Sequence, residues 1–174
     1  ELFDIARSLS STLDLDTLLK RIGVAAEQLT GSEASSIMLL DEEKQNLVFR
    51  VATGEKGVAV KRMKVKVGEG IAGWVAEKRK NLAVNDVSKD ERFARNFDKS
   101  SGFQTRSILC VPLLLGDDII GVAEVLNKQN NEPFSSEDEK IMESLGSLAS
   151  VSIANARSAE DQKNFFIYII EIIV

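Results

Sequence analysis

Residues 119–139 read IIGVAEVLNKQNNEPFSSEDE. The first eight form an apolar run of strand length with a single carboxylate, Glu124, in its middle. Asn127, Lys128 and Pro133 mark a polar turn, and the cluster from Phe134 to Glu139 opens a helix. Ser135 with Asp138, or Ser136 with Glu139, has capping-box spacing, in which a hydroxyl and a carboxylate each accept an orphan backbone N–H. Lys128 past the strand and Asp138 in the first helical turn are placed to pair across the connection. Residue by residue, this is a strand-to-helix joint with an ion-pair clasp, a structural device before it is a functional one.

Outward from that joint, 106–115 is a nearly continuous apolar strand, and Gly116-Asp117-Asp118 turns it back into 119–126. From Ser136 a long helix shows Ile141, Leu145, Leu148, Ser152 and Ile153 at three- and four-residue steps. Upstream, 34–40 and 47–52 read as a hairpin, and 61–67 alternates basic and apolar residues as an edge strand does. Gly68-Glu69-Gly70 opens a short helix over 71–78, 82–84 is a brief strand, and 90–97 reads as another short helix. At the start, Leu2, Phe3, Ile5, Ala6 and Leu9 recur at helical spacing until Ser10, Ser11 and Thr12 interrupt them. Asp14 or Asp16 then caps a second helix with Leu18, Leu19, Ile22, Ala26 and Leu29, ending near Gly31. Helices flanking a block of antiparallel strands give an α+β class.

The 174 residues have room for one domain with a sizeable core. Apolar residues at 44% and charged residues at 28% make an ordinary soluble balance. A net charge of −5 argues against nucleic acid or an anionic membrane as main partner. No stretch reaches the ~20 apolar residues of a membrane span. The single Cys110 excludes an internal disulfide and fits a reducing compartment, hence a cytoplasmic location. With no histidine, the commonest metal ligand and general base is missing, and no metal site is expected. The chain opens on Glu1 rather than Met, so it reads as a segment of something longer. Residues 165–174, FFIYIIEIIV, differ in composition from the rest. They read as the start of a following element or as a dimer seam continuing the long helix, and their isoleucines also suit a strand.

Three groups could carry chemistry. Glu124 sits among apolar neighbours, so its face is either wet or turned to a pocket whose ligand supplies donors. A glycine-rich entry such as Gly68 to Gly73 aims backbone N–H groups and a positive dipole end at an anion, although two glycines before a helix more often make only a tight turn. Asp98, Ser101 and Thr105, with Gly102 between them, read as loop and cap residues.

Asn127-Lys128, a spacer, Phe134, three residues, then Asp138-Glu139 resembles the Asn-Lys-Phe-Asp-Glu signature of GAF domains. That signature is typical of GAF domains in cyclic-nucleotide phosphodiesterases and some adenylyl cyclases. The resemblance extends through Gly68-Glu69-Gly70-Ile71-Ala72-Gly73, Gly102-Phe103-Gln104-Thr105-Arg106 and Ile108-Leu109-Cys110-Val111-Pro112, and covers residues 1–157. It implies a central antiparallel sheet of about six strands, terminal helices on one face, and short helices over a ligand pocket on the other. By motif match the ligand-binding residues are Ser36, Ile71, Ala72, Asp98, Ser101, Thr105 and Glu124. Asn127, Lys128, Phe134, Asp138 and Glu139 form a structural clasp. The family often has an aromatic and an Asp closing the second strand, where this chain has Ala52-Thr53.

The resemblance implies a non-catalytic sensory domain in 1–157, with 158–174 a helical linker or the start of a following domain. Cyclic AMP or cyclic GMP is the candidate ligand, a second copy of the chain and an attached output domain are the expected partners, and a ligand-free dimerisation and coupling module is the alternative. Methionine sulfoxide reduction, known in some GAF proteins, needs cysteines in relay, and Cys110 stands alone.

Overall fold

The computed structural model describes residues 2–54 and 57–173, with side chains for 15–54, 57 and 60–172. The elements in order are α1 (Leu2–Thr30), β1 (Ser32–Leu40), β2 (Asn46–Ala52), α2 (Gly57–Val60), β3 (Lys64–Lys66), α3 (Gly70–Lys78), β4 (Leu82–Val84), α4 (Asn96–Ser101), β5 (Ile108–Leu115), β6 (Asp118–Lys128) and α5 (Ser136–Ile173). The strands form one antiparallel sheet of six in the order β3-β2-β1-β6-β5-β4. The class is α+β, as the sequence pattern implies.

β5 and β6 are apolar on both faces because both faces are covered. Their alternate residues serve two separate cores. Leu109, Val111 and Leu113 of β5, with Ala123 and Val125 of β6 and Ile37 of β1, pack on Leu19, Ile22 and Ala26 of α1 and Met142, Ala149 and Ile153 of α5. Cys110, Val122 and Met38 point the other way, against Ile71, Val75 and Ala76 of α3 and Val84 and Val87 beyond it. A strand's period of two thus puts the terminal helices on one face and the short helices on the other. α3 seats tightly on β3: a Cβ on Gly73 would stand 2.3 Å from the Lys66 carbonyl oxygen, so a side chain there would force the two apart.

Four expectations change. α1 is one helix and does not break at Ser10–Thr12. Serine and threonine lower helix propensity by only tenths of a kcal/mol each, and no Gly or Pro stands between Leu2 and Ile22 to stop the helix. Asp16 consequently caps nothing and instead pairs with Arg50 at 2.7 Å. The short helix expected over 90–97 forms later, as α4, because the Asp90 carboxylate accepts from the Arg92 N–H and guanidinium and ties those residues into a turn. β5 starts at Ile108, since Arg106 turns outward to Glu33 at 2.6 Å. α5 runs unbroken through 157 to Ile173, so 165–173 continues the long helix, one of the readings its sequence offered, and is not a strand. The side chains of Leu2, Phe3, Ile5, Ala6 and Leu9 lie outside the described residues.

Of the two capping boxes, the chain uses Ser135 with Asp138. The Ser135 hydroxyl accepts the Asp138 N–H at 3.2 Å while Asp138 accepts the Ser135 N–H at 2.7 Å. Among the described residues no helix is long and apolar enough to cross a membrane.

Candidate ligand pocket

Glu124 occupies the middle of the sheet, opposite Ser36 on β1 and Cys110 on β5. These three side chains form a row on the short-helix face. The Ser36 hydroxyl donates to Glu124 Oε2 at 3.0 Å, and the Cys110 thiol is a second partner. Glu124 is only 8% exposed. Burial pushes its carboxyl up to about 7, against the pull of those two hydrogen bonds. Burial, with the Glu124 charge beside it, also pushes the Cys110 thiol up, which keeps it neutral.

Above this row lies a cavity with a volume of about 120 Å³, room for several water molecules. All seven residues matched from sequence line it: Ser36, Ile71, Ala72, Asp98, Ser101, Thr105 and Glu124. Ile71 and Ala72 are buried in the first turn of α3. The turn into α3 places Gly70 at φ +68°, and Glu69 before it makes no side-chain cap bond, so the N-cap side chain does not occupy the backbone donors of the first turn. Asp98 and Thr105 hold each other. Asp98 accepts the Thr105 N–H at 2.9 Å and the Thr105 hydroxyl at 2.6 Å. Ser101 donates to the Phe97 carbonyl at 2.7 Å and accepts the Phe103 N–H at 3.1 Å.

Sequence reasoning missed the aromatic wall. Phe49, Phe93, Phe97 and Phe103 all line the cavity, with Phe49 and Phe97 tilted against each other at 5.8 Å between ring centres. Phe93 and Phe97 stand four residues apart, but Phe49 and Phe103 come from other segments, so no single periodicity in the sequence gathers the four. Ala52 also lines the cavity and offers a methyl group where a ring would stack. Thr53 faces α1 as well, hydrogen-bonded to Glu27 and accepting the Ser35 N–H at 2.8 Å. No Lys or Arg is among the described lining residues, so the cavity's charges are the two acids.

Beyond the cavity, Lys128 Nζ meets both Asp138 oxygens at 2.8 and 2.7 Å, with the two side chains 15% and 6% exposed. Burial raises the Asp138 carboxyl, but Lys128 and Ser135 outweigh it and hold the group below its ordinary value. Phe134 is buried in the terminal-helix core, its N–H donated to Asn85 at 2.9 Å. Asn127, at φ +58°, makes a different connection. Its carboxamide oxygen accepts the Arg106 and Ser107 N–H groups at 2.6 and 3.3 Å, and its amide donates to the Gln104 carbonyl at 2.8 Å and to Glu33 at 2.9 Å. Thr105 is thereby held from both sides. Glu139 is half-buried and donates its N–H to the Ser135 carbonyl at 3.1 Å. Among the described residues no cluster of three or more acids or thiols is arranged to hold a metal.

A family model for the GAF domain matches residues 14–153. The chain belongs to the GAF domain family. A dual 3′,5′-cyclic-AMP and -GMP phosphodiesterase 11A of Takifugu rubripes is 30% identical over 164 residues, covering 88% of this chain and 18% of the relative. A dual 3′,5′-cyclic-AMP and -GMP phosphodiesterase 11 of Drosophila melanogaster is 31% identical over 173 residues, covering 91% of this chain and 12% of the relative. The chain thus spans less than a fifth of the length of either. Among solved structures, the GAF domain of a phosphoenolpyruvate-protein phosphotransferase from Coxiella burnetii superposes with a TM-score of 0.76 at 19% identity, covering 91% of this chain and 96% of that one. At that identity the likeness establishes the fold. The six-stranded sheet between terminal and short helices is therefore the GAF architecture.

Proposed function

We propose that this GAF domain is a non-catalytic regulatory module that binds a cyclic nucleotide, cyclic AMP or cyclic GMP, and signals its occupancy to an attached output domain. One observation carries the reading: a buried carboxyl, Glu124, turned into an aromatic-lined cavity with the uncapped first turn of α3. The nucleotide's base and ribose stack within the phenylalanine wall and meet Glu124, Asp98, Ser36, Ser101 and Thr105. Its phosphate lies at the Ile71–Ala72 turn, held by backbone donors and the helix dipole without Lys or Arg. The similarity to two cyclic-nucleotide phosphodiesterases, over a small share of their length, supports both the ligand class and the role as one part of a larger signalling protein. α1 and α5 pack on each other and on the far face of the sheet, so they are the route from cavity to output.

The second reading, a ligand-free dimerisation and coupling domain, is favoured by one feature. Asp98, Thr105 and Ser101 are already satisfied by one another and by the backbone. In either reading the module works as a homodimer through its terminal helices, in the cytoplasm. Native mass spectrometry of the purified domain separates the two. A mass increment equal to a cyclic nucleotide, retained or added, supports the first; a bare polypeptide mass unchanged by excess nucleotide supports the second.

A further inference from the structure

The two acids of the cavity stand in different situations. Both Asp98 oxygens are taken by Thr105. Glu124 is held by Ser36 on Oε2 and by the Cys110 thiol, and no cation among the described lining residues fixes its charge. A carboxylate is an acceptor on both oxygens, whereas the protonated acid presents a donor beside an acceptor. The two purines differ in the same way. The Watson–Crick edge of guanine offers adjacent N1–H and N2–H donors, and that of adenine offers an N6–H donor beside the N1 acceptor.

Resting on the cyclic-nucleotide reading, we propose that Glu124 selects the purine and that its proton switches the choice, the carboxylate taking a guanine edge and the acid an adenine edge. The groups around Glu124 allow this. β1 presents Ser36 and β5 presents the neutral Cys110 thiol; α3 presents Ile71 and Ala72; β2 presents Phe49 and Ala52. α4 and the loop after it present Asp98, occupied by Thr105, and α1 brings Glu27, bonded to Ser35 and Thr53. Nothing in this set pins Glu124 in either state. Its burial places the exchange near neutral pH, where small changes shift the population.

The test is titration calorimetry of cyclic AMP and cyclic GMP from about pH 5.5 to about pH 8.5, where neither base titrates. The preference for cyclic GMP over cyclic AMP should rise by roughly tenfold or more across that range. Glu124→Gln, whose amide fixes one donor and one acceptor, should flatten the profile and keep the adenine preference. On wild-type protein alone, heats in buffers of different ionisation enthalpy should reveal proton release with cyclic GMP and proton uptake with cyclic AMP. A constant preference with both nucleotides binding and no proton exchanged overturns this inference and leaves the cyclic-nucleotide reading standing. Binding of neither nucleotide overturns both.

Discussion

Ser36 and Glu124 face each other in register across β1 and β6, and the serine hydroxyl donates to the carboxyl over 3.0 Å at the floor of the cavity. The partner is a neutral hydroxyl, which supports a charge only weakly, and burial prevails. The pH dependence of stability follows from the sign of that shift. A carboxyl raised from 4.5 to about 7 binds its proton more tightly in the folded state. Its contribution is complete below the unfolded value and is lost as pH rises to about 7. The full span is roughly 3 kcal/mol. Urea unfolding at a series of pH values between these limits should show wild type weakening and Glu124→Gln holding level. Parallel curves would contradict the buried-acid description.

The Lys128–Asp138 pair belongs to folding. Both side chains are largely buried, so Asp138→Ala leaves an ammonium without its partner and also removes the α5 capping box. The expected cost is about 3–5 kcal/mol, read as a marked fall in melting temperature. Nucleotide affinity, measured on protein that remains folded, should stay within a few-fold of wild type.

Asn127 should behave differently although it is Lys128's neighbour. Asn127→Ala frees the N–H groups of Arg106 and Ser107 and the Gln104 carbonyl together, on both sides of the cavity residue Thr105. The Ser107 N–H, the buried one of the three, costs about 1–3 kcal/mol when left unsatisfied, and the part-buried other two cost less. Both melting temperature and ligand affinity should drop, and a stability loss with unchanged affinity would separate Asn127 from the site.

The outer face of α5 carries Leu148, Val151, Phe165, Tyr168 and Ile172, all well exposed. A two-fold pairing would cover them. Light scattering should give a dimer for the full chain, and Phe165→Glu with Tyr168→Glu should give a monomer with the same thermal midpoint for the sheet domain.

Much of this was legible in the chain itself. The near-continuous apolar runs either side of the Gly116 turn and the capping spacing at Ser135 and Asp138 are local signals, and both are realised in the structure. Glu124 stood out because a carboxylate amid apolar strand residues requires an explanation. Helix boundaries were less legible. Ser10–Thr12 looked like a stop and is not, since weak local propensity yields to packing of the following turns against the sheet. The phenylalanine wall was invisible because Phe49, Phe93, Phe97 and Phe103 converge only when β2, α4 and the loops around α4 assemble. The mutual satisfaction of Asp98 and Thr105 likewise depends on α4 forming later than its sequence suggested.

The proposed binding mode turns on Glu124 facing a cyclic nucleotide. Isothermal titration of wild type and Glu124→Ala with cyclic AMP and cyclic GMP tests it most directly. Losing one charge-assisted hydrogen bond costs about 1.5–3 kcal/mol, so wild type should bind at least one nucleotide and the variant should bind it roughly 10- to 150-fold more weakly. No heat and no thermal shift from wild type at millimolar nucleotide, or equal affinity in a folded variant, would contradict it.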